Sequence, residues 1–157
     1  MKIIIRGALV SLTLLLSACS NNMKSTSLAV NSYEADKARI WELEQTIYER
    51  RAVGDIQFYL DNSNPNYLGW PFGQEVPISL DGLRDYASKG LFKPGEKIDV
   101  TLDGFTVEGD TAVAYFSTHR TRRPGGETAN DKFQNIHVWT RVDDKWTLIG
   151  SFSRKIQ

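Results

Sequence analysis

His137 stands in an alternating run, Phe133, Asn135, His137 and Trp139, whose side chains share one face if residues 132–142 form a strand. The same alternation groups Val113, Tyr115, Ser117 and His119 on a strand over 111–123. It also groups Thr147, Ile149, Ser151 and Ser153 on a strand over 145–155. Laid side by side, these strands bring His137 to Ser117, Asn135, Ser151 and Ser153, a few convergent polar groups in a largely apolar wall. Imidazole is the side chain best suited to moving a proton near neutral pH, so His137 is the candidate catalytic residue. The same pattern also fits a ligand contact, or a neutral buried histidine satisfied by Asn135 or a hydroxyl. A Ser–His–acid hydrolase is poorly supported, because no G-x-S-x-G elbow occurs. Two histidines without ligand spacing and no H-E-x-x-H give no metal site, and no cofactor motif is present.

Aromatic residues extend this set. Tyr48 faces away from the polar side of its helix, and Tyr67 and Trp70 are expected near the mouth of a cavity whose wall also holds Tyr115 and Trp139, although as core residues these aromatics need no further role. A phenol beside an indole at a rim suits a flat apolar ligand. The basic run His119-Arg120-Thr121-Arg122-Arg123 reads as a solvated hairpin tip or a contact for lipid headgroups or an acidic partner.

The elements that position these residues follow from periodicity. Over 34–53, Ile40, Trp41, Leu43, Ile47, Tyr48 and Ala52 recur at helical spacing, with Ser32 as a possible cap and Gly54 as a stop. Asp55 opens a short second helix containing Ile56, Tyr59 and Leu60, and Ser79 caps a third over 79–89. Residues 61–66 are turn chemistry, and Tyr67-Leu68-Gly69-Trp70-Pro71 reads as an edge strand. From residue 96 the period becomes two, giving strands near 97–107, 111–123, 132–142 and 145–155 with turns at 109–110, 123–126 and 143–145. Helices first and an antiparallel sheet second define an α+β domain. Phe116, Ile136, Val138 and Phe152 fall on the face opposite His137. Both faces are largely apolar, so helices are expected to cover one and a second copy of the chain the other.

Three helices and this strand spacing, with Ala112-Val113-Ala114-Tyr115-Phe116, the run from Ile136-His137-Val138-Trp139 to Trp146, and Ala52-Val53-Gly54-Asp55, resemble the nuclear-transport-factor-2-like superfamily. That group includes ketosteroid isomerases, SnoaL-like cyclases and the association domain of calmodulin-dependent kinase. The resemblance covers roughly 34–155. It implies a cone-shaped barrel, three N-terminal helices packed on a curved antiparallel sheet, with a pocket under the first helix. The kinase association domain lines its pocket with strand arginines. The matching positions here are Ser117, His137 and Ser153, so the resemblance carries over no anion site. An isomerase of this group needs a pocket carboxylate, and the face of the last three strands assigned to the pocket offers none.

The N-terminus contributes a different chemistry. Met1-Lys2-Ile3-Ile4-Ile5-Arg6 precedes a short apolar run and Leu16-Ser17-Ala18-Cys19, which resembles the lipobox of bacterial lipoproteins. The resemblance implies a signal peptide over 1–18, acylation of Cys19 and tethering to a bilayer. Ser20 after the cysteine implies the periplasmic face of the outer membrane. Residues 19–31 are polar and read as a flexible tether, leaving 32–157 as the domain. Cys19 is the only cysteine, so no intramolecular disulfide can form. Lys2 and Arg6 belong to the removed segment, which leaves 17 basic against 19 acidic residues and no electrostatic case for nucleic acid. Three function classes follow: a membrane-tethered domain binding a small, mostly apolar molecule; a SnoaL-like enzyme using acid–base chemistry through His137; and a non-catalytic dimerisation or envelope-interaction module.

Overall fold

A computed structural model describes the backbone of residues 18–156 and the side chains of residues 32–156. The chain divides into two units, Met1–Tyr33 and Glu34–Gln157. The signal peptide expected over 1–18 lies outside the described residues save the backbone of Ala18, and so does the side chain of Cys19. Among the described residues no helix is long and apolar enough to cross a membrane.

Helix α1 spans Ala18–Ala52. It begins well before residue 34, and the backbone from 19 to 31, read as a tether from its polarity, is helical. Once a helix is nucleated, each added residue gains one hydrogen bond, so weak helix formers can extend it. Within the second unit, Ile40, Leu43, Glu44, Ile47 and Tyr48 are buried along one stripe of α1. Arg50 and Arg51 occupy the last turn, where cations suit the helix dipole. Gly54, at φ 82°, follows it in a conformation that side-chain-bearing residues rarely adopt.

Helix α2 (Gln57–Asp61) begins with the Asp55 carboxylate accepting from the Gln57 amide at 2.9 Å. Strand β1 (Ser63–Trp70) follows, then β2 (Ile78–Ser79) and helix α3 (Leu80–Ser88). The Ser79 hydroxyl caps α3 by accepting from the Gly82 amide. Strands β3 (Lys97–Glu108), β4 (Thr111–Arg122), β5 (Thr128–Val142) and β6 (Lys145–Ile156) complete the chain. Asp143 and Asp144, both with positive φ, close the tight β5–β6 hairpin.

The six strands form one sheet in the order β2-β1-β6-β5-β4-β3. All neighbours are antiparallel except β1 and β6, which run parallel, so the curved sheet is mixed. Residues 63–66, read as a turn, belong to β1 instead. Their turn chemistry survives inside the strand: Asn64 Oδ1 accepts from the Asn66 amide, and the register with β6 is irregular between Ser63 and Leu68. That irregularity accommodates Pro65, which has no N–H to give a ladder.

The phase of β4 differs from the expected one. Ala112, Ala114, Phe116 and Thr118 pair with Trp139, His137, Asn135 and Phe133, and all are buried on the helix-covered face. Tyr115 is 42% exposed on the opposite face, and Ser117 also faces that way, donating to Asp103 on β3. Both alternating sets on β4 are largely apolar, so sequence alone left the phase open. Helix α1 decides it, because Trp41 and Tyr48 pack edge-on against the Phe116 ring at 6.4 and 5.8 Å. Phe116 is therefore core, not outer surface. On β6, a bulge between the partners of Val138 and Trp139 puts Leu148, not Thr147 or Ile149, on the inner face, while Ser151 and Ser153 pair with His137 and Asn135.

Asp36 fastens α1 to the far end of the sheet. Its carboxylate accepts from Arg141 Nη2 at 2.9 Å and from Trp146 Nε1 at 3.2 Å, and the Arg141 guanidinium lies 4.4 Å from the Trp146 ring centre.

Candidate functional site

A cavity of about 320 Å³ opens between the second half of α1, the α2 region and the inner face of the sheet. That is within the usual size of small-molecule pockets. Tyr48, Tyr67, Asn135, His137, Ser151 and Ser153 line it. Trp139 is fully buried behind the wall. Trp70, expected at the rim, is turned outward and donates its indole N–H to the Gln74 carbonyl at 2.8 Å. Tyr115 and Ser117 face away for the reason of strand phase given above.

The decisive feature comes from the helix. Glu44 on α1 is completely buried, and its carboxylate meets His137 Nδ1 at 2.8 and 2.9 Å and Trp139 Nε1 at 2.8 Å. An ionised carboxylate only accepts, so the contact places an imidazole proton on Nδ1, and in the neutral ring the lone pair is then on Nε2. Among the described residues Nε2 makes no hydrogen bond, and the ring borders the cavity. Phe116 and Tyr59 pack edge-on to the imidazole, at 4.9 and 6.3 Å between ring centres, and fix its plane. The carboxylate sought on the strands is thus supplied by α1. A sequence signal existed: Glu44 interrupts the stripe Ile40, Leu43, Ile47, Tyr48, and a charged residue in a buried stripe requires a partner.

Three hydroxyls lie beside this pair. Tyr59 and Tyr67 are 2.8 Å apart, and Tyr67 is 2.7 Å from Ser151 Oγ. Three hydroxyl protons and two bonds leave one proton uncommitted within the group, on a residue that lines the cavity. Burial, then the neighbouring Tyr67, pushes the Tyr59 phenol well above its ordinary pKa. Burial raises Tyr67 too, with part of the rise recovered by its bonds to Ser151 and Tyr59. Both phenols are therefore protonated donors at neutral pH. Tyr48, which burial also raises, is a third neutral phenol in the wall. Gly69, two residues beyond Tyr67 on the same face, leaves room for this group: a Cβ there would fall on the Tyr67 hydroxyl and Ser151 Oγ.

The opposite end of the cavity carries Arg51 and Arg120. Arg51 Nε and Nη2 each donate to Glu96 at 2.9 Å, and the Glu96 side chain is almost wholly buried. Burial opposes the Arg51 charge, but Glu96 outweighs it, so the guanidinium ends above its ordinary pKa. Arg51 and Glu96 carry no signal in the sequence reading, which places Tyr59 on the second helix without a site role. Arg120 belongs to the run expected to be a solvated tip or a contact for lipid headgroups or an acidic partner, yet its guanidinium lies 5.1 Å from the Phe133 ring centre, over the cavity wall.

Comparison with known proteins bears on the scaffold. No protein-family model and no curated protein matches the sequence. Solved structures do match. The chain superposes on a protein from Parabacteroides distasonis, provisionally named a ketosteroid isomerase, with a TM-score of 0.61 and 20% identity over 75% of this chain and 86% of that one. It is also similar to a protein from Streptomyces avermitilis, provisionally named a dehydratase, with a TM-score of 0.67 and 16% identity over 79% of this chain and 98% of that one. The fold is that of the nuclear-transport-factor-2-like group. The association domain of the calmodulin-dependent kinase CaMKII from C. elegans shares it as well, with a TM-score of 0.60 and 15% identity over 78% of this chain and 98% of that one. At such identities the nuclear-transport-factor-2-like likeness concerns the fold, and the chemistry rests on this chain's own residues.

Proposed function

We propose that this chain is a proton-transfer enzyme acting on a small, mostly apolar carbonyl compound. The observation that carries the reading is the fully buried Glu44 holding His137 by Nδ1 while Nε2 borders the cavity. In this reading Nε2 takes a proton from a carbon next to the carbonyl, and the C–H electron pair moves into the carbonyl group. The free hydroxyl proton of the Tyr59–Tyr67–Ser151 group stabilises the resulting enolate oxygen. The imidazolium that forms faces Glu44, and the proton returns to another carbon or is lost to solvent. The provisional names of the isomerase and dehydratase neighbours suit acid–base chemistry.

A test that needs no known substrate follows α-deuterium incorporation by NMR in D₂O, over a panel of small aromatic ketones and keto acids. At least one compound should exchange faster with the protein than in buffer. His137→Gln should reduce that acceleration by about 10²–10⁴-fold. No acceleration across the panel, or an undiminished one in His137→Gln, would overturn the reading. Ligand-induced stabilisation without exchange would reduce it to a binding domain.

Two further readings concern where and how the domain works. The lipobox-like Leu16-Ser17-Ala18-Cys19 supports acylation of Cys19 and a lipid-tethered protein in the bacterial cell envelope, on the periplasmic face of the outer membrane. Labelled palmitate should enter the native protein and be lost in Cys19→Ala, and continued labelling of the variant would refute the anchor. The second concerns the outer sheet face, where Leu68 and Trp70 of β1, Phe152 of β6, Ile136 and Val138 of β5 and Tyr115 of β4 follow one another across the ladder. Such a continuous apolar surface supports a two-fold dimer, with Phe116 replaced by Tyr115 in the set expected from sequence. Light scattering on residues 32–157 should give twice the chain mass, and Val138→Lys should halve it. A native monomer at micromolar concentration would contradict this.

A further inference from the structure

We propose that the cavity takes an organic monoanion, its carboxylate seated on Arg51 and Arg120 and its apolar body reaching to His137. The proposal rests on the cavity being a ligand site, as argued above, but not on catalysis. Two guanidiniums line one end of the cavity, and one buried carboxylate, Glu96, lies between them. That leaves a local charge of about +1 in a partly desolvated wall, a costly arrangement without a counter-charge.

Glu96 does not use up the donors. Its two oxygens are engaged in line by Arg51 Nε and Nη2. Arg120 Nε lies 2.7 Å from Glu96 Oε1 but makes no directed hydrogen bond, so charge alone couples them. The other acid at hand is also committed. Asp131, opposite Arg120 in the ladder, is held by Lys155 at 2.6 Å and Arg123 at 3.1 Å. These contacts, Lys155 foremost, pull its carboxyl down to about 2. Arg51 and Arg120 thus keep donors for a carboxylate, which a planar guanidinium fork matches in shape.

The spacing gives the ligand its length. Glu44, Ile47, Tyr48 and Arg51 recur along one face of α1, and the seven helical steps from Glu44 to Arg51 rise about 10 Å. Tyr48, Phe133 and Ile47 supply the apolar wall between the two ends. The fitting ligand is therefore an aromatic or alkyl acid whose reactive carbon lies several bonds from its carboxylate. These arginines stand at positions other than those matched to the kinase association domain, Ser117, His137 and Ser153.

The test is calorimetric titration of the native protein with ω-phenylalkanoic acids, from phenylacetate to 6-phenylhexanoate, each beside its neutral primary amide. At least one acid should bind tenfold or more tightly than its amide. Arg120→Gln should bring that preference to within about threefold without weakening the amide. Glu96→Gln should raise the acid's affinity several-fold, because it removes the competing carboxylate. That opposite change keeps the test decisive if Arg120→Gln folds poorly. No acid outbinding its amide, or a preference unmoved in both variants, overturns the proposal. His137→Gln should keep the acid preference, so failure of the deuterium exchange would sink the catalytic reading and leave this one standing.

Discussion

Glu44→Leu should lower the stability of the domain by about 2–5 kcal/mol, a fall of roughly 10–20 °C in Tm. The carboxylate serves two buried donors, His137 Nδ1–H and Trp139 Nε1–H. Leucine fills much of the volume but accepts from neither, and each orphaned buried donor costs about 1–3 kcal/mol. Glu44→Gln should fall between, because one amide oxygen can still accept. His137→Phe removes one of the two donors, so the double variant Glu44→Leu/His137→Phe should be more stable than the sum of the single changes by about 1 kcal/mol or more. Thermal melts of the four proteins close the cycle. Strict additivity would mean that the Glu44–His137 contact carries no coupling, and the orienting role assigned to Glu44 would fall with it.

Gly69→Ala should cost about 2–4 kcal/mol, far more than an exposed-strand alanine ordinarily does. The added methyl would occupy the place of the Tyr67 hydroxyl and Ser151 Oγ. Tyr67 has little room to retreat: it is 3% exposed, and its ring packs edge-on to Tyr59 at 5.9 Å between centres. The hydrogen-bonded group of three hydroxyls must open, and any activity that uses its free proton goes with it. Tyr67→Phe takes away the clashing oxygen, so Gly69→Ala should cost less in that background than in the native one. Equal costs in both backgrounds, measured by chemical denaturation, would show that Gly69 does not serve Tyr67.

The helices and the four long strands could be read from period and turn chemistry because those signals are local. The stripe Ile40, Leu43, Ile47 and Tyr48 demands a helix, and Asp143-Asp144 between alternating runs demands a tight hairpin. β1 was legible only in part, since its first residues carry turn chemistry and its neighbour β6 is contributed by the far end of the chain. Tyr48, Tyr67, Asn135, His137, Ser151 and Ser153 meet in one cavity, and each could be placed from its own strand or helix face. Tyr115 and Ser117 could not, because Val113-Tyr115 and Ala114-Phe116 are both apolar pairs and give a period without a phase.

By itself the sequence determined what local chemistry governs: an α+β order of elements, an imidazole on a strand face amid short polar groups, and a lipobox-like N-terminal stretch. Only the tertiary structure decided which groups face that imidazole. Glu44 lies 93 residues before His137 in the chain, and Arg51 lies 45 before Glu96. Neither pairing leaves a periodic trace, since a contact between a helix and a distant strand depends on register and phase. Those are set by packing, here the seating of Trp41 and Tyr48 on Phe116, which turns β4 and with it Arg120 toward the cavity.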